Sequence, residues 1–289
     1  MLKKIALLTI LIGYIVSAQA QGFKFGVHVS PIISFLDSDK PYVGNTAVAG
    51  AVALGVEVER YFSDGENYAL TFGVDFSLGK GGTLLYEYGG KFLGSTDLYE
   101  NPFANNTTGE EPSSGTDLHI SAFTPIKYSV TYIELPIGLK LRTNELGGSY
   151  MRAFFHLPLI KIMVPVIAQA RIYTPDTKAD GYVKDLNPVA YSIPEETKSS
   201  LEKNVYGEIL PIQIAIGAGA GVEYTPNAEG GLRLFAGIYY DYGLLDVVSR
   251  KKINYEEAWT DPNTAGDIDQ EINPRNALHN ISLRIGVTF

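Results

Sequence analysis

Residues 281–289 read ISLRIGVTF, and this final stretch of the chain decides the fold class. Its apolar side chains fall on every second position, at Ile281, Leu283, Ile285 and Val287. Successive side chains of a β-strand point to opposite faces of the sheet. The spacing therefore predicts a strand with one apolar face, and a second face of polar residues and glycine.

The same alternation recurs in seven stretches upstream. Their apolar positions begin near residues 23, 52, 70, 131, 160, 212 and 232. Each stretch is long enough for the roughly 9–11 tilted residues with which a β-strand crosses a bilayer. We predict an all-β fold, an eight-stranded antiparallel up-and-down transmembrane β-barrel. A secreted β-sandwich would show the same alternation and is the alternative.

The connections between the predicted strands separate these two folds. Tight turns are expected at residues 61–67, 143–149 and 225–231. Longer connections are expected at about 37–47, 80–127, 174–206 and 245–277. Short turns at one end of the sheet and long loops at the other are typical of transmembrane barrels, so we prefer the barrel.

Aromatic residues support the same choice, with 19 Tyr and 13 Phe in the chain. Several lie near predicted strand ends, where the aromatic girdles of a barrel meet the membrane interfaces: Tyr61, Phe62, Tyr68, Tyr128, Tyr173, Tyr224 and Tyr242. The terminal Phe289 on an amphipathic strand resembles the C-terminal signal that the insertion machinery of bacterial outer membranes reads. We predict Phe289 as an insertion signal, with outer-membrane lipid and that machinery as partners.

The first 20 residues read MLKKIALLTILIGYIVSAQA. Two lysines precede an apolar core, and Ala18-Gln19-Ala20 is a small-x-small cleavage site. We therefore predict a signal peptide over residues 1–20 and a barrel over residues 21–289. An N-terminal membrane helix is disfavoured because a span needs about 20 apolar residues. This prediction places the protein in the cell outer membrane of a Gram-negative bacterium, with both termini in the periplasm.

The net charge and the cysteine content of the chain exclude several kinds of site. The chain has 23 Lys+Arg against 32 Asp+Glu, a formal net charge of −9, and no cysteine. No basic excess is available to neutralise phosphates, so we predict no nucleic-acid partner. The absence of cysteine excludes disulfides, thiolate nucleophiles and Cys-based metal sites.

Charged residues occupy the strand face opposite the apolar one. An eight-stranded barrel has an interior just wide enough to be filled by side chains. Opposite charges should pair there, because an unpaired buried charge is costly. The predicted inward set is Lys24, Glu57, Glu59, Asp75, Glu134, Lys140, Arg142, Lys161, Arg171, Glu223, Arg233, Asp241 and Arg284. We predict a structural network of charges in the lumen, and an ion-conducting or proton-relay lumen is the alternative.

No motif points to an enzyme. The chain has no G-x-S-x-G elbow, no H-E-x-x-H and no phosphate-binding glycine loop. The aspartates between residues 261 and 269 lack the spacing of a calcium-binding loop. We therefore predict no catalytic residues, no cofactor and no metal site.

A resemblance to a known family rests on five segments. They are Phe23–Ser30 (FKFGVHVS), Gly55–Phe62 (GVEVERYF), Asn67–Leu70 (NYAL), and above all Tyr132–Lys140 (YIELPIGLK) and Thr143–Gly147 (TNELG). They resemble the PorT family of outer-membrane barrels from Bacteroidota. The likeness runs through the mature chain and departs near residues 154–165 and in the loops 89–125 and 174–206.

The resemblance implies an accessory outer-membrane component of type IX secretion, which exports proteins with C-terminal sorting domains and serves gliding motility in some species. Such a component would act through contacts with other proteins of the secretion machinery. The resemblance supplies no catalytic residues. Two other functions stay open: a structural or adhesive barrel with ligand-binding outer loops, and a narrow channel.

One substitution pair tests the predicted faces of the last strand. Leu283→Arg should block membrane assembly, because a lipid-facing arginine near the midplane costs about 2–4 kcal/mol. Arg284→Leu, on the inward face, is expected to be milder.

Overall fold

The computed structural model describes twelve segments of the chain. They are residues 22–40, 43–62, 66–86, 90–92, 118–120, 124–147, 149–173, 200–226, 231–250, 255–257, 271–272 and 274–289. The predicted signal peptide and the aspartates at 261–269 lie outside them. Within these segments, no helix is long and apolar enough to cross a membrane.

Eight long strands form the barrel. They are β1 (Phe23–Asp37), β2 (Val43–Tyr61), β3 (Tyr68–Tyr86), β4 (Thr124–Arg142), β5 (Met151–Tyr173), β6 (Gln213–Tyr224), β7 (Arg233–Asp246) and β8 (Ala277–Thr288). Each strand pairs antiparallel with the next, and β8 pairs with β1. The predicted eight-stranded antiparallel up-and-down barrel is confirmed.

The first and last strands close the sheet. Val27 of β1 is in register with Val287 of β8. At the rim, the backbone N–H of Phe25 donates to the carbonyl of Phe289 at 3.0 Å, and the N–H of Phe289 donates back to Phe25 at 2.8 Å. Closure leaves the barrel without an edge strand. A barrel in lipid must be closed in this way, because lipid offers no hydrogen-bond partner to a backbone donor or acceptor.

The two ends of the barrel differ. The connections between β2 and β3, β4 and β5, and β6 and β7 are short, and they share one end with the start of β1 and the end of β8. We call this the turn end, and the opposite end the loop end. Four short strands lie in the loop-end connections, at Gly90–Phe92, Leu118–Ile120, Tyr255–Glu257 and Glu271–Ile272, and they pair with one another. Ser200–Asn204 extends the barrel sheet beside β5.

Apolar side chains cover the outside of the barrel. Leu54 and Ile238, for example, are 58% and 65% exposed, whereas Glu57 and Asp241 on the same two strands point inward and are buried. A water-soluble protein buries its apolar face instead. An outward apolar belt around a polar interior is the arrangement of a membrane-spanning barrel.

The girdle prediction is correct for part of its residues. Exposed aromatic side chains ring the turn end at Phe62, Tyr68, Tyr150, Tyr224 and Phe289. The prediction was wrong for Tyr61 and Tyr128. Tyr61 points inward and donates a hydrogen bond to Glu59, and Tyr128 is fully buried. Their positions near strand ends do not reveal which face each ring occupies.

The strands are longer than the alternation predicts. β2 already begins at Val43, β3 runs to Tyr86 and β4 begins at Thr124, so the connections predicted at 37–47 and 80–127 were too long. Lys80, Gly81, Gly82, Thr83 and Leu84 are all buried. A strand covered on both faces carries no alternation, which explains the error.

A β-bulge reverses the faces of β5 near the loop end. Thr131 pairs with Ile167 but Tyr132 pairs with Pro165, which leaves one extra residue in β5. Beyond it Ala168 and Ala170 are buried and point inward. Arg171 therefore lies on the outward face, and its predicted place in the lumen was wrong. A single inserted residue shifts every later side chain to the other face.

Candidate functional site

The candidate site is the lumen, which the inward residues fill from the turn end upward. Glu66, in the turn after β2, covers its mouth with the backbone in the left-handed region at φ 55°. Its carboxylate lies 3.0 Å from Lys24 Nζ and accepts a hydrogen bond from Arg233. Burial alone would raise the pKa of Glu66, but the hydrogen bonds and charges of Arg233 and Lys24 outweigh it and lower that pKa.

Four charges form a tetrad above this mouth. Lys140 Nζ lies 2.6 Å from Glu59 and 2.6 Å from Glu223. Arg142 donates to both carboxylates as well, with its Nε 2.6 Å from Glu223 Oε2. All four side chains are at most 2% exposed. Two cations thus neutralise two carboxylates in a buried site, where an unpaired charge would be costly.

Two aromatic rings and a tyrosine hydroxyl contact the tetrad. The ammonium of Lys140 lies 4.6 Å from the ring centroid of Phe154 and 5.0 Å from that of Phe235. The Tyr61 hydroxyl donates to Glu59 at 2.5 Å. These contacts replace the water that the charges lose on burial.

The next layer contains Arg284 between two acids. Its guanidinium nitrogens lie 3.1 Å from Glu57 and 3.4 Å from Asp75. The imidazole Nε2 of His28 lies 3.2 Å from the other oxygen of Asp75. Gly55 makes room for this layer, since a Cβ there would clash with Asp75 and lie 2.5 Å from His28 Nε2.

Two more ion pairs lie nearer the loop end. Lys161 Nζ is 2.6 Å from Asp241. Lys80 Nζ is 2.5 Å from Glu134, which also accepts a hydrogen bond from Ser77. The register of β3 and β4 shifts between Ser77 and Lys80. That irregularity turns Lys80 inward and hid it from the sequence prediction.

His156 lies on β5 inside the same interior. Its Nε2 is 2.5 Å from Thr71 Oγ1, and its ring meets Tyr239 edge-on at 5.9 Å. His28 and His156 are both buried, so each contacts other barrel residues rather than solvent.

An apolar cluster fills the loop-end half of the interior. It is built from inward strand residues together with Val205, Ile209, Val247 and Val248, which lie between strands. Its members are Leu36, Val43, Leu84, Ile126, Tyr128, Val130, Tyr132, Met163, Ala168, Ala170, Val205, Ile209, Ala215, Val247, Val248 and Leu278. The described lumen is therefore occupied by ion pairs toward the turn end and by buried apolar side chains toward the loop end.

The predicted charges fall into three groups. Eleven are buried inside: Glu57, Glu59, Asp75, Glu134, Lys140, Arg142, Lys161, Glu223, Arg233, Asp241 and Arg284. Lys24 lies half-buried at the mouth, and Arg171 lies outside. Sequence reasoning missed Lys80 and Glu66. In the described part of the chain, no cluster of three or more His, Asp or Glu side chains could hold a metal ion.

A closed antiparallel barrel with an apolar belt and a charged, filled interior defines a transmembrane β-barrel protein. Neisserial surface protein A is similar in structure at 13% identity and a TM-score of 0.34, with 91% of this chain and 95% of that chain covered. Ail, the attachment invasion locus protein of Yersinia pestis, is similar at 9% identity and a TM-score of 0.32, with 92% and 97% covered. The outer membrane protease OmpT of Escherichia coli is similar at 8% identity and a TM-score of 0.35, with 92% and 96% covered.

No protein-family model matches the chain, and no curated protein matches it.

Proposed function

We propose that this protein is an outer-membrane barrel that acts through protein contacts, as an accessory component of type IX secretion or of a gliding-type machinery. The resemblance of Tyr132–Lys140 and Thr143–Gly147 to the PorT family supports the choice of machinery. Both termini are proposed to lie in the periplasm. The turn end then faces the periplasm, and the loop end faces the cell exterior.

The closed lumen is the observation that carries the proposal. A transporting barrel needs a continuous polar path, and aqueous channels are built from about 16 strands. Here the tetrad of Glu59, Lys140, Arg142 and Glu223 is buried, and the apolar cluster occupies the interior toward the loop end. Because the described residues leave no path through the barrel, its two ends and its outer surface are the regions available for function.

The long strands provide a surface for such contacts. β2, β3 and β4 have 19 residues each and β5 has 23, whereas β6 and β8 have 12. About 9–11 tilted residues suffice to cross a bilayer. β2 to β5 therefore extend past the membrane at the loop end and form a sheet wall on one side of the barrel, which suits a docking protein.

Deleting the gene in the native host and measuring export of proteins with C-terminal sorting domains tests this function. We expect export to fall, and to recover when the wild-type gene is returned. A second strain replaces residues 87–123 with a two-residue turn between β3 and β4. Export should stay low in that strain although the shortened barrel still assembles, as judged by its heat-modifiable migration in gels. Normal export in the deletion strain would refute the secretion role.

A second candidate is an adhesive barrel whose outer loops bind a cationic ligand. The connections at residues 87–123, 174–199 and 251–273 carry 17 acidic against 6 basic residues, so this end is strongly acidic. Normal export together with salt-sensitive binding of cells to a cationic surface would favour this candidate. The remaining alternative, a narrow channel, predicts conductance in planar bilayers, and the apolar cluster counts against it.

A further inference from the structure

The loop-end part of β2 has an open edge. Residues 43–48 pair with β3 on one side of the strand. On the other side, the pairing of β2 with β1 ends at Ala49. The N–H of Val43 donates to the carbonyl of Lys40 at 3.2 Å. In the part of the chain that the structure describes, residues 44–48 therefore have a partner strand on one side only, and we call them the β2 edge.

β1 does not close this edge, because it turns into the barrel. Its pairing with β8 continues to the pair of Asp37 with Ala277, whereas its pairing with β2 ends at Ser34. Leu36 is fully buried in the apolar cluster. A Cβ on Gly82 of β3 would lie 2.6 Å from the backbone nitrogen of Leu36, so β1 passes against β3 at this point. Packing therefore holds β1 away from the β2 edge.

The side chains of the β2 edge leave it accessible. Asn45, Thr46 and Ala47 are exposed, and Val48 is 59% exposed. None of residues 44–48 is charged or a proline, which are the residues that usually protect a strand edge from pairing. One protective feature is present, because the register against β3 shifts between Asn45 and Ala47 and leaves Thr46 as an extra residue. This bulge restricts pairing to a segment that fits it.

The backbone of the β2 edge requires an extended chain as its partner. Alternate residues of a strand direct their N–H and C=O groups to the same side, about 7 Å apart. A helix has already paired its backbone groups, and a small ligand cannot span the whole edge. A second copy of this chain is disfavoured. Two copies in one membrane point the same way, so their β2 strands run in the same direction and cannot form the more stable antiparallel pair.

We propose that the β2 edge binds an extended segment of a partner protein, which adds to the sheet as an antiparallel strand. Because the edge carries no charge, the segment that fits it is uncharged and rich in β-branched residues, which favour the extended backbone. The partner approaches from beyond the membrane on the loop-end side. This inference rests on the proposed function, in which the protein acts through protein contacts, and it assigns the surface of that contact.

Hydrogen exchange of the full-length barrel in detergent tests whether the edge is open. Residues 82–86 of β3 are the internal reference, because they pair with β2 on one side and β4 on the other at the same end of the barrel. We expect the fastest amides at residues 44–48 to exchange at least about tenfold faster than those at residues 82–86. Equal protection of the two stretches would show that other parts of the chain cover the edge, and it would overturn the proposal.

A peptide of about eight residues that alternates threonine and valine is the probe for strand addition. An excess of this peptide should slow exchange at residues 44–48 about tenfold, because their open-side amides gain hydrogen bonds. The same peptide with a methyl group on every backbone nitrogen keeps its side chains but donates no backbone hydrogen bond, and it should give no protection. Equal protection by the two peptides, or none by either, would overturn the proposal.

Asn45→Lys is the test variant, and Asn144→Lys is its matched control. Asn45 lies on the β2 edge and Asn144 lies in the turn between β4 and β5, and both are exposed. A lysine on a strand edge opposes the addition of another strand. Asn45→Lys should therefore reduce the protection by the peptide about tenfold, and Asn144→Lys should leave it unchanged. Equal reduction in both variants would assign the effect to net charge and overturn the proposal.

The outcome is separable from that of the export experiment. An open edge that takes up the peptide, together with normal export in the deletion strain, would support this contact surface and refute only the secretion role. A protected edge together with reduced export would overturn this contact surface and leave the secretion role standing.

Discussion

The guanidinium of Arg142 holds the carboxylate of Glu223 through two hydrogen bonds, from Nε to Oε2 at 2.6 Å and from Nη2 to Oε1 at 3.0 Å. The residues are 81 positions apart, on β4 and β6, with β5 between them. The same guanidinium donates to Glu59. One side chain therefore ties three strands together inside the closed barrel.

Arg142→Met should destabilise the barrel by about 3–5 kcal/mol, because it leaves Glu59 and Glu223 in the interior with fewer partners. The measurement is the free energy of unfolding in urea, with the barrel folded in lipid vesicles. Arg60→Met, an exposed position on β2, is the control and should change stability by no more than about 0.5 kcal/mol. Similar losses in the two variants would show that Arg142 adds no more than a surface charge.

Leu283 and Arg284 are neighbours on β8 with opposite environments. Leu283 is 43% exposed to the membrane, and Arg284 is 1% exposed between Glu57 and Asp75. These contacts reverse the expected order of the two effects, because Arg284→Leu takes from Glu57 and Asp75 the cation that they share. We expect a loss of about 3–5 kcal/mol for Arg284→Leu and about 2–4 kcal/mol for Leu283→Arg.

The two variants should fail differently. Leu283→Arg should reduce the yield of folded barrel inserted into vesicles. Adding Glu57→Gln and Asp75→Asn should recover part of the stability that Arg284→Leu loses, since the two amides remove the negative charges that Arg284 balanced. The same pair of amides should not rescue Leu283→Arg. Rescue of both variants by the amides would contradict the assigned faces.

Gly55→Ala should destabilise the barrel by about 1–3 kcal/mol, because the new methyl group collides with Asp75 and His28 and the packed interior cannot yield without strain. Gly50, on the same strand, is the control, since a Cβ there meets nothing within 4 Å. Urea unfolding of the two alanine variants measures the difference. Equal stabilities would mean that the Asp75 layer is looser than its contacts indicate.

The mouth of the lumen should loosen in acid. Burial tends to raise the pKa of Glu66, but Arg233 and Lys24 lower it below the ordinary value of 4.5. A lowered folded-state pKa gives stabilisation that is present above the unfolded value and is lost as pH falls through the folded value. As pH falls from 4.5 toward this lowered pKa, we expect the hydrogen-exchange protection factors of amides at the turn ends of β1 and β7 to decrease.

Glu66→Gln should abolish this acid-dependent change in hydrogen exchange, because an amide does not titrate. Glu145→Gln in the next turn is the control: Glu145 is more exposed, and its ion pair with Arg152 spans 3.5 Å. The Glu145→Gln variant should keep the acid-dependent change in hydrogen exchange that the wild type shows. If the acid-dependent change persists in Glu66→Gln, another titrating group causes it.

The sequence predicts a strand and the direction of its side chains only where apolar and polar residues alternate without interruption. Where one face meets lipid and the other meets the lumen, as in β8, period two gives both the strand and its inward residues. Lys80 was missed and Arg171 was misplaced because each follows a register shift, which moves later side chains to the opposite face. The loop-end cluster was missed for another reason. Val205, Ile209, Val247 and Val248 lie between strands, where no periodicity marks a buried residue.

The sequence by itself determined the class of protein, because period two is a local property of the extended backbone and the apolar face must meet lipid or a core. The charges at Glu59, Lys140, Arg142 and Glu223 were also predicted to face inward from their spacing alone. Only the tertiary structure decided which cation meets which acid, since those distances depend on how the register of eight strands closes into a ring. It also decided that apolar side chains fill the loop-end half, because their packing is set by residues far apart in the chain.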